Sequence, residues 1–282
     1  MLEIEAIGDS GATIDLGTVK AAPESVLKYL AAVGDELPIY SEFGLAPPLY
    51  FASSALGLLL GRLALPSGAV HSLQEIETLH PSAIGDELQV WARVERPRER
   101  GGLKFITAVC DLLTANGRTA LTSKSTVMLT GEATAGGGLE RPRPTGSAGS
   151  GAPSELPVVT RTITQERLNA YAQASGDDNP LHLDPEFAAG TQFGGIIAHG
   201  MLTLAFVGET MAAAHGRRWL EAGSIRVRFK GAAYIGDRVE TWGSTSKGAR
   251  SQNGKSEHFV VGVLDSATGQ ELVAGAANIR KP

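Results

Sequence analysis

Cysteine is nearly absent: Cys110 is the only one in 282 residues, which excludes an internal disulfide and a cysteine-built zinc site. It sits in the apolar run Thr107-Ala108-Val109-Cys110, where a small buried hydrophobe is expected rather than a nucleophile. Positive charge is also in deficit. Lys and Arg number 25 against 30 Asp and Glu, a formal net charge of −5, so the chain lacks the global field that nucleic acid or an anionic membrane would require. Long hydrophobic runs are missing as well. The most apolar stretch, Ala55 to Leu63, meets Arg62 well before it could span a bilayer. The opening Met1-Leu2-Glu3-Ile4-Glu5 is acidic where a signal peptide would be basic. A soluble, cytoplasmic protein is the expectation.

Apolar residues at 43% and charged residues at 20% suit a globular chain able to bury a core, as one large domain or two small ones. One segment decides between these. From Gly131 to Pro157 the chain is dense in Gly, Pro, Ser and Ala and cannot bury enough surface to offset its ordering entropy. It is expected to be a linker (131–157) between an N-terminal module (1–130) and a C-terminal module (158–282).

The two modules look alike. Gly34-Asp35-Glu36-Leu37-Pro38-Ile39-Tyr40 matches Gly176-Asp177-Asp178-Asn179-Pro180-Leu181-His182, 142 residues on (176 − 34). Ile84-Gly85-Asp86 matches Ile235-Gly236-Asp237, 151 residues on (235 − 84). Two matches in the same order, each pair flanking an apolar helix-like stretch, predict duplication of one unit. In the C-terminal copy a helix is expected from Thr162 to Ala174, capped by Thr162 or Thr164. Gly200 to Ala214 is apolar nearly all round and predicts a helix buried on most sides. Alternating runs at Ser224–Lys230, Arg238–Ser244, His258–Leu264 and Glu271–Ile279 predict strands. The N-terminal counterparts are a helix at Ala52–Leu65 and strands at Gln74–Leu79, Leu88–Val94, Lys104–Leu113 and Ala120–Thr130. A buried helix followed by antiparallel strands implies an α+β fold in which a sheet wraps the helix.

Polar groups concentrate in Ala174-Ser-Gly-Asp-Asp-Asn-Pro-Leu-His-Leu-Asp184. Pro180 interrupts any helix there, and the turn can direct Asp177 and His182 toward one point. A carboxylate beside an imidazole suits proton transfer near neutral pH, with Asn179 able to hold either group. The structural alternative is a capped turn with a half-buried histidine, and spacing alone leaves it open. The loop is not a calcium-binding EF-hand, because the required glycine and terminal glutamate are missing.

The run from Gly176 to Asp184, with Pro185-Glu186-Phe187-Ala188 and Ile197-Ala198-His199-Gly200-Met201-Leu202 after it, resembles the hydratase-2 signature of the MaoC-like family of R-specific enoyl-CoA hydratases and dehydratases. The resemblance covers the loop, the start of the central helix and the Phe229 to Asp237 region. It implies a hot-dog fold, here a double one, with a degenerate N-terminal copy and an active C-terminal one. It implies hydration of a trans-2-enoyl thioester to the (3R)-3-hydroxyacyl thioester, or the reverse, on CoA or an acyl carrier, without metal or redox cofactor. Asp177 and His182 would be the acid/base pair and Asn179 their support. The Gly200 N–H, at the start of the central helix, would hold the thioester oxygen.

The departures are Leu37 and Tyr40 where the N-terminal copy would need Asn and His, and Gly208 where many members carry serine. His199 is expected to be a structural histidine. Arg226, Arg228 and Lys230 alternate on one strand face, which is either solvated or placed for CoA phosphates; Arg96 to Arg100 reads as a charged hairpin turn. Rival readings are a hot-dog thioesterase and a non-catalytic thioester-binding module. No nucleic acid or membrane partner is expected, and the double module would be a monomer or a homodimer.

Overall fold

The structure, a computed structural model, describes residues 12–63, 69–129, 154–246 and 256–281. The N-terminal half contains β1 (Thr13–Lys20), α1 (Pro23–Val33), α2 (Ile39–Phe43), α3 (Pro48–Leu60), β2 (Ala69–Thr78), β3 (Glu87–Val94), the short β4 (Arg98–Arg100), β5 (Leu103–Leu113) and β6 (Thr119–Leu129). The C-terminal half repeats the plan with β7 (Thr160–Thr162), α4 (Gln165–Ser175), a 3₁₀ turn at Pro180–His182, α5 (Pro185–Ala189), α6 (Gly200–His215), α7 (Arg217–Ala222), β8 (Gly223–Phe229), β9 (Arg238–Thr245), β10 (Ser256–Asp265) and β11 (Glu271–Arg280).

All strands join one antiparallel sheet of order β1-β3-β5-β6-β2-β8-β11-β10-β9-β7, with β4 on β5. The order is mirrored about the β2–β8 seam, where Glu75 pairs with Arg226 and Ile76 with Ile225. Each half-sheet curls around its own helix, α3 or α6, as the double hot-dog reading requires. The seam removes the two strand edges that separate modules would expose. Both helices are buried on nearly every side: α6 buries every residue from Met201 to Ala212, so it has no polar face to show.

The duplication is visible in hydrogen bonds. Ala21 N–H donates to Asp86 O (2.7 Å) and Gly85 N–H to Ala21 O (2.7 Å); Ile163 and Gly236 repeat this with Asp237 O and Ile163 O at 2.9 and 2.8 Å. The Asp86 carboxylate takes the Ala83 N–H and the Asp237 carboxylate the Tyr234 N–H, both at 2.7 Å. The repeated Ile-Gly-Asp is thus one turn built twice.

Element boundaries shift modestly from expectation. The N-terminal helix is Pro48–Leu60 rather than Ala52–Leu65, because Pro47 and Pro48 fix its start. Thr164, not Thr162, caps α4, accepting the Arg167 N–H at 3.2 Å. Cys110 is buried, and burial pushes its thiol up to about 12. Most of the expected linker, 131–153, lies outside the described residues. Its last part is seated on β9: Glu155 and Leu156 N–H both donate to Gly243 O (2.8 and 3.1 Å). No helix among the described residues is long and apolar enough to cross a membrane.

Candidate active site

The loop after α4 starts at Gly176, which ends the helix in the left-handed region (φ 76°), a conformation that favours glycine. The Asp177 carboxylate then accepts the Asn179 N–H (3.4 Å), and the Asn179 side-chain oxygen accepts the Leu181 N–H (3.0 Å). Pro180 opens the 3₁₀ turn that delivers His182 to the interior. Asn179 therefore holds the loop through the backbone. The N-terminal copy repeats the skeleton: Gly34 ends α1 at φ 80°, and the Asp35 carboxylate accepts the Leu37 N–H at 3.0 Å.

His182 is buried, with Nδ1 2.8 Å from the Ile197 carbonyl oxygen. A carbonyl only accepts, so Nδ1 carries the proton and the neutral ring presents an unprotonated Nε2. His199 packs on this ring, centroids 3.9 Å apart, and donates Nε2–H to the Asp177 carbonyl oxygen at 3.1 Å. Asp177, His182 and His199 each place one donor atom within 4.8 Å of the others'. Burial raises the Asp177 carboxyl and lowers His182, while each opposes the other's shift through their charges. Burial, and then His182, hold His199 well below the usual imidazole range. His199 is thus a neutral buttress that ties the loop to the head of α6.

Gly200 is the first residue of α6, where N–H groups have no partner within the helix. A β-carbon there would meet the Phe229 ring at 3.1 Å, so Gly200 and Phe229 form one wall. Gly208 faces elsewhere: its β-carbon would meet Leu49 Cδ1 at 2.2 Å. It lines a cavity with Asp35, Tyr40, Pro48 and Glu209, on the side of the N-terminal loop.

That second loop is chemically different. Tyr40 donates its hydroxyl to Asp35 at 2.6 Å, and burial, with the Asp35 charge, keeps the phenol protonated well above its ordinary range. Where His182 offers a basic nitrogen lone pair, Tyr40 offers no base: its hydroxyl proton is held by Asp35. Pro48, first in α3 as Gly200 is in α6, has no N–H to hold an oxyanion. Arg161 places its Nη2 2.8 Å from both carboxylate oxygens of Glu209 and donates to Val33 O and Gly34 O. Arg167 donates to Ala32 O (2.8 Å) and Val33 O (2.7 Å). Cations from the C-terminal half therefore cap α1 where the dipole is negative.

The Asp177–His182 loop is instead backed by apolar and small groups of α3. Gly57 touches the backbone of Ser175 and Gly176, and Ser53 Oγ lies 2.8 Å from the Tyr171 hydroxyl. Neither contact was readable from sequence, since each joins residues more than a hundred positions apart. Arg226, Arg228 and Lys230 lie on the outer sheet face away from this loop's wall: Arg226 meets Glu75 at 3.4 Å, Lys230 meets Glu271 at 2.5 Å, and Arg228 is exposed.

The MaoC like domain profile matches residues 152–267. The chain is 30% identical over 227 residues to 3-hydroxyacyl-thioester dehydratase X of Mycobacterium tuberculosis, covering 77% of this chain and 74% of that one. It is 38% identical over 87 residues to 3-hydroxyacyl-thioester dehydratase Z of the same species, spanning 58% of that relative's length and 29% of this chain. Among solved structures, one described as a MaoC-like dehydratase superposes with a TM-score of 0.78 at 20% identity, covering 99% of this chain and 100% of that one.

Proposed function

From the premise that the chain belongs to the MaoC-like dehydratase family, we propose that it adds water to trans-2-enoyl thioesters to give (3R)-3-hydroxyacyl thioesters, or removes it, at Asp177 and His182. The observation that carries this reading is the His182 Nδ1–Ile197 O hydrogen bond, which leaves Nε2 as a lone pair beside the Asp177 carboxyl. In the hydration direction Nε2 takes a proton from water as its oxygen bonds to C3. The C2–C3 π electrons move toward C2 and the thioester oxygen, and the Gly200 N–H at the positive end of α6 stabilises that oxygen. Asp177, whose carboxyl is raised by burial, delivers a proton to C2. Transfer of the proton on His182 to Asp177 then restores the starting state. The dehydration runs these steps in reverse.

The dehydratase names of the relatives support the reaction class, and the retained loop supports its assignment to the C-terminal half. The R stereochemistry rests on the resemblance of the loop to the hydratase-2 signature. The substrate is an acyl thioester carried on CoA or an acyl carrier protein. Ultraviolet loss of the conjugated enoyl thioester, with chiral analysis of the product, tests the reading. Release of free thiol without hydroxyacyl product would make the protein a thioesterase and overturn it.

A further inference from the structure

β2 belongs to the half without a working pair, yet one of its residues is aimed at the C-terminal site. His71 pairs with Val127 and Leu73 with Thr126, so Ser72 is an extra residue, a bulge in β2. Without the bulge His71 would share the outer face with Glu75 and Glu77. The bulge turns it inward, onto the face of Val127 and Gln74. Bulges re-aim side chains in this way beside active sites. Across the β2–β8 seam Leu73 pairs with Arg228, which sets His71 beside Phe229, ring centroids 4.6 Å apart. Phe229 is the side chain that covers Gly200.

His71 Nε2 is closed off from solvent and has no hydrogen-bond partner among the described residues. Burial lowers the imidazole to about 4 against the opposing polar contacts of the Gln74 side chain and the Leu73 backbone, with the charge of His182 acting in the same direction as burial, so the ring is neutral at pH 7 and lies within electrostatic reach of the acid/base pair. A buried Nε2 without a partner of its own is a cost to the fold. Such a group, re-aimed by a bulge toward the wall of a site, fits a contact that only a ligand completes.

We propose that His71 is a substrate-binding residue, its Nε2 hydrogen-bonding the polar arm of the acyl thioester (the thioester carbonyl or the adjoining amide) as it passes the Gly200–Phe229 wall. The inference rests on the reaction proposed above. It gives the N-terminal half a direct part in binding, although it has lost its own chemistry.

The test compares His71→Leu and His71→Gln in the full chain. It uses a short enoyl-CoA and the matching enoyl-N-acetylcysteamine thioester, which keeps only the thioester and one amide. For His71→Leu, KM should rise about tenfold for both substrates, the loss of one hydrogen bond, with kcat changed less. The melting temperature should stay level or rise, and His71→Gln should recover most of the affinity. Kinetics within twofold of wild type for His71→Leu would overturn the proposal. So would a lowered melting temperature with kcat and KM both impaired and no recovery by Gln, the pattern of a structural residue. Binding of a saturated acyl-CoA, measured by calorimetry, separates the two readings. An unreactive wild type sinks the proposed reaction, whereas equal binding by wild type and His71→Leu sinks only the role of His71.

Discussion

A β-carbon on Gly57 would lie 2.2 Å from the carbonyl oxygen of Ser175, so α3 of the N-terminal half rests backbone to backbone on the residues that lead into Asp177. The matching position of α6 carries Glu209, reaching Arg161 instead of touching a loop. The two halves have thus diverged in what each central helix presents to the other's loop. Gly57→Ala is expected to push the Asp177 loop outward. A displacement of about 1 Å can cost about a hundredfold in rate, so kcat should fall by roughly one to two orders of magnitude. Circular dichroism should show the fold intact, since alanine favours a helix interior. Unchanged kcat in a folded Gly57→Ala protein would mean that the contact does not position the loop.

The proposed acid/base pair, Asp177 and His182, gives the next expectation. Asp177→Asn and His182→Ala should each lower kcat by about two to four orders of magnitude, with the double variant scarcely worse than either single one. His182 is held below its usual range by burial. Hydration should therefore lose rate only on the acid side of the ordinary histidine range, where Nε2 is already protonated from solvent and can take no proton from the attacking water. A rate that instead climbs as pH falls below that range would contradict Nε2 as the base.

How much of this was legible beforehand follows from the range of each interaction. The repeated Gly-Asp and Ile-Gly-Asp segments are local turns whose hydrogen bonds stay within a few residues or within one module, so a linear pattern preserved them and the duplication could be read. The encirclement of α6 was written in its largely apolar stretch, which only Thr203, Glu209 and Thr210 interrupt. The Asp177 to His182 loop was readable for the same reason: its geometry is set by Gly176, Asn179 and Pro180, all neighbours. By contrast, β1, α1 and β7 leave a weak mark in the sequence: α1 is a short helix without a side-chain cap, and a three-residue strand such as β7 carries no period. The seating of Gly57 on Ser175 and the pairing of Arg161 with Glu209 arise only when the modules dock. Gly208 stands as a departure within the site by its place in the sequence, whereas the fold turns it toward Leu49 and the other loop.

The N-terminal loop should be catalytically silent. Tyr40 donates to Asp35 and Pro48 cannot donate to an oxyanion, so both parts of the chemistry are gone. Asp35→Asn and Tyr40→Phe should leave kcat within about threefold of wild type, whereas general acid–base residues cost far more. Steady-state kinetics on each variant read this directly. A loss in folded Asp35→Asn as deep as that in Asp177→Asn would establish two working sites.

Glu209 links this silent region to stability. Burial first, then the Asp35 charge, raise its carboxyl to about 7, against the opposing Arg161 guanidinium. A carboxyl raised in the folded state favours the protonated form. Its contribution to stability is therefore full below the ordinary carboxylate range and is lost as pH rises through about 7. Glu209→Gln fixes a neutral side chain and removes that dependence. The melting temperature of Glu209→Gln minus that of wild type should increase from pH 5 to about pH 7 and level off by pH 8. A difference that is flat or shrinking over that interval would show that Arg161, not burial, governs the group.

The β2–β8 seam leads to the last expectation. Five residue pairs from Leu73↔Arg228 to Glu77↔Ser224 join the halves, with Ile76 and Ile225 both buried beneath them. A fragment beginning at Ser154 keeps Asp177, His182, His199 and Gly200, and keeps the seat of Glu155 and Leu156 on β9. It loses β2, so β8 becomes an unpaired edge of apolar Ile225 and Val227 alternating with Arg226 and Arg228, and α4 loses Gly57 and Ser53 from behind it. An exposed edge of this kind invites pairing with another chain. The fragment should therefore be insoluble or should dimerise edge to edge through β8, as sedimentation or light scattering will show. Self-pairing would replace α3 by a second α6, which carries Glu209 where Gly57 makes its close contact. Turnover should consequently fall at least about tenfold even in a soluble dimer, through a misplaced Asp177 loop. A monomeric fragment with wild-type turnover would show that the N-terminal half neither covers the edge nor supports the loop.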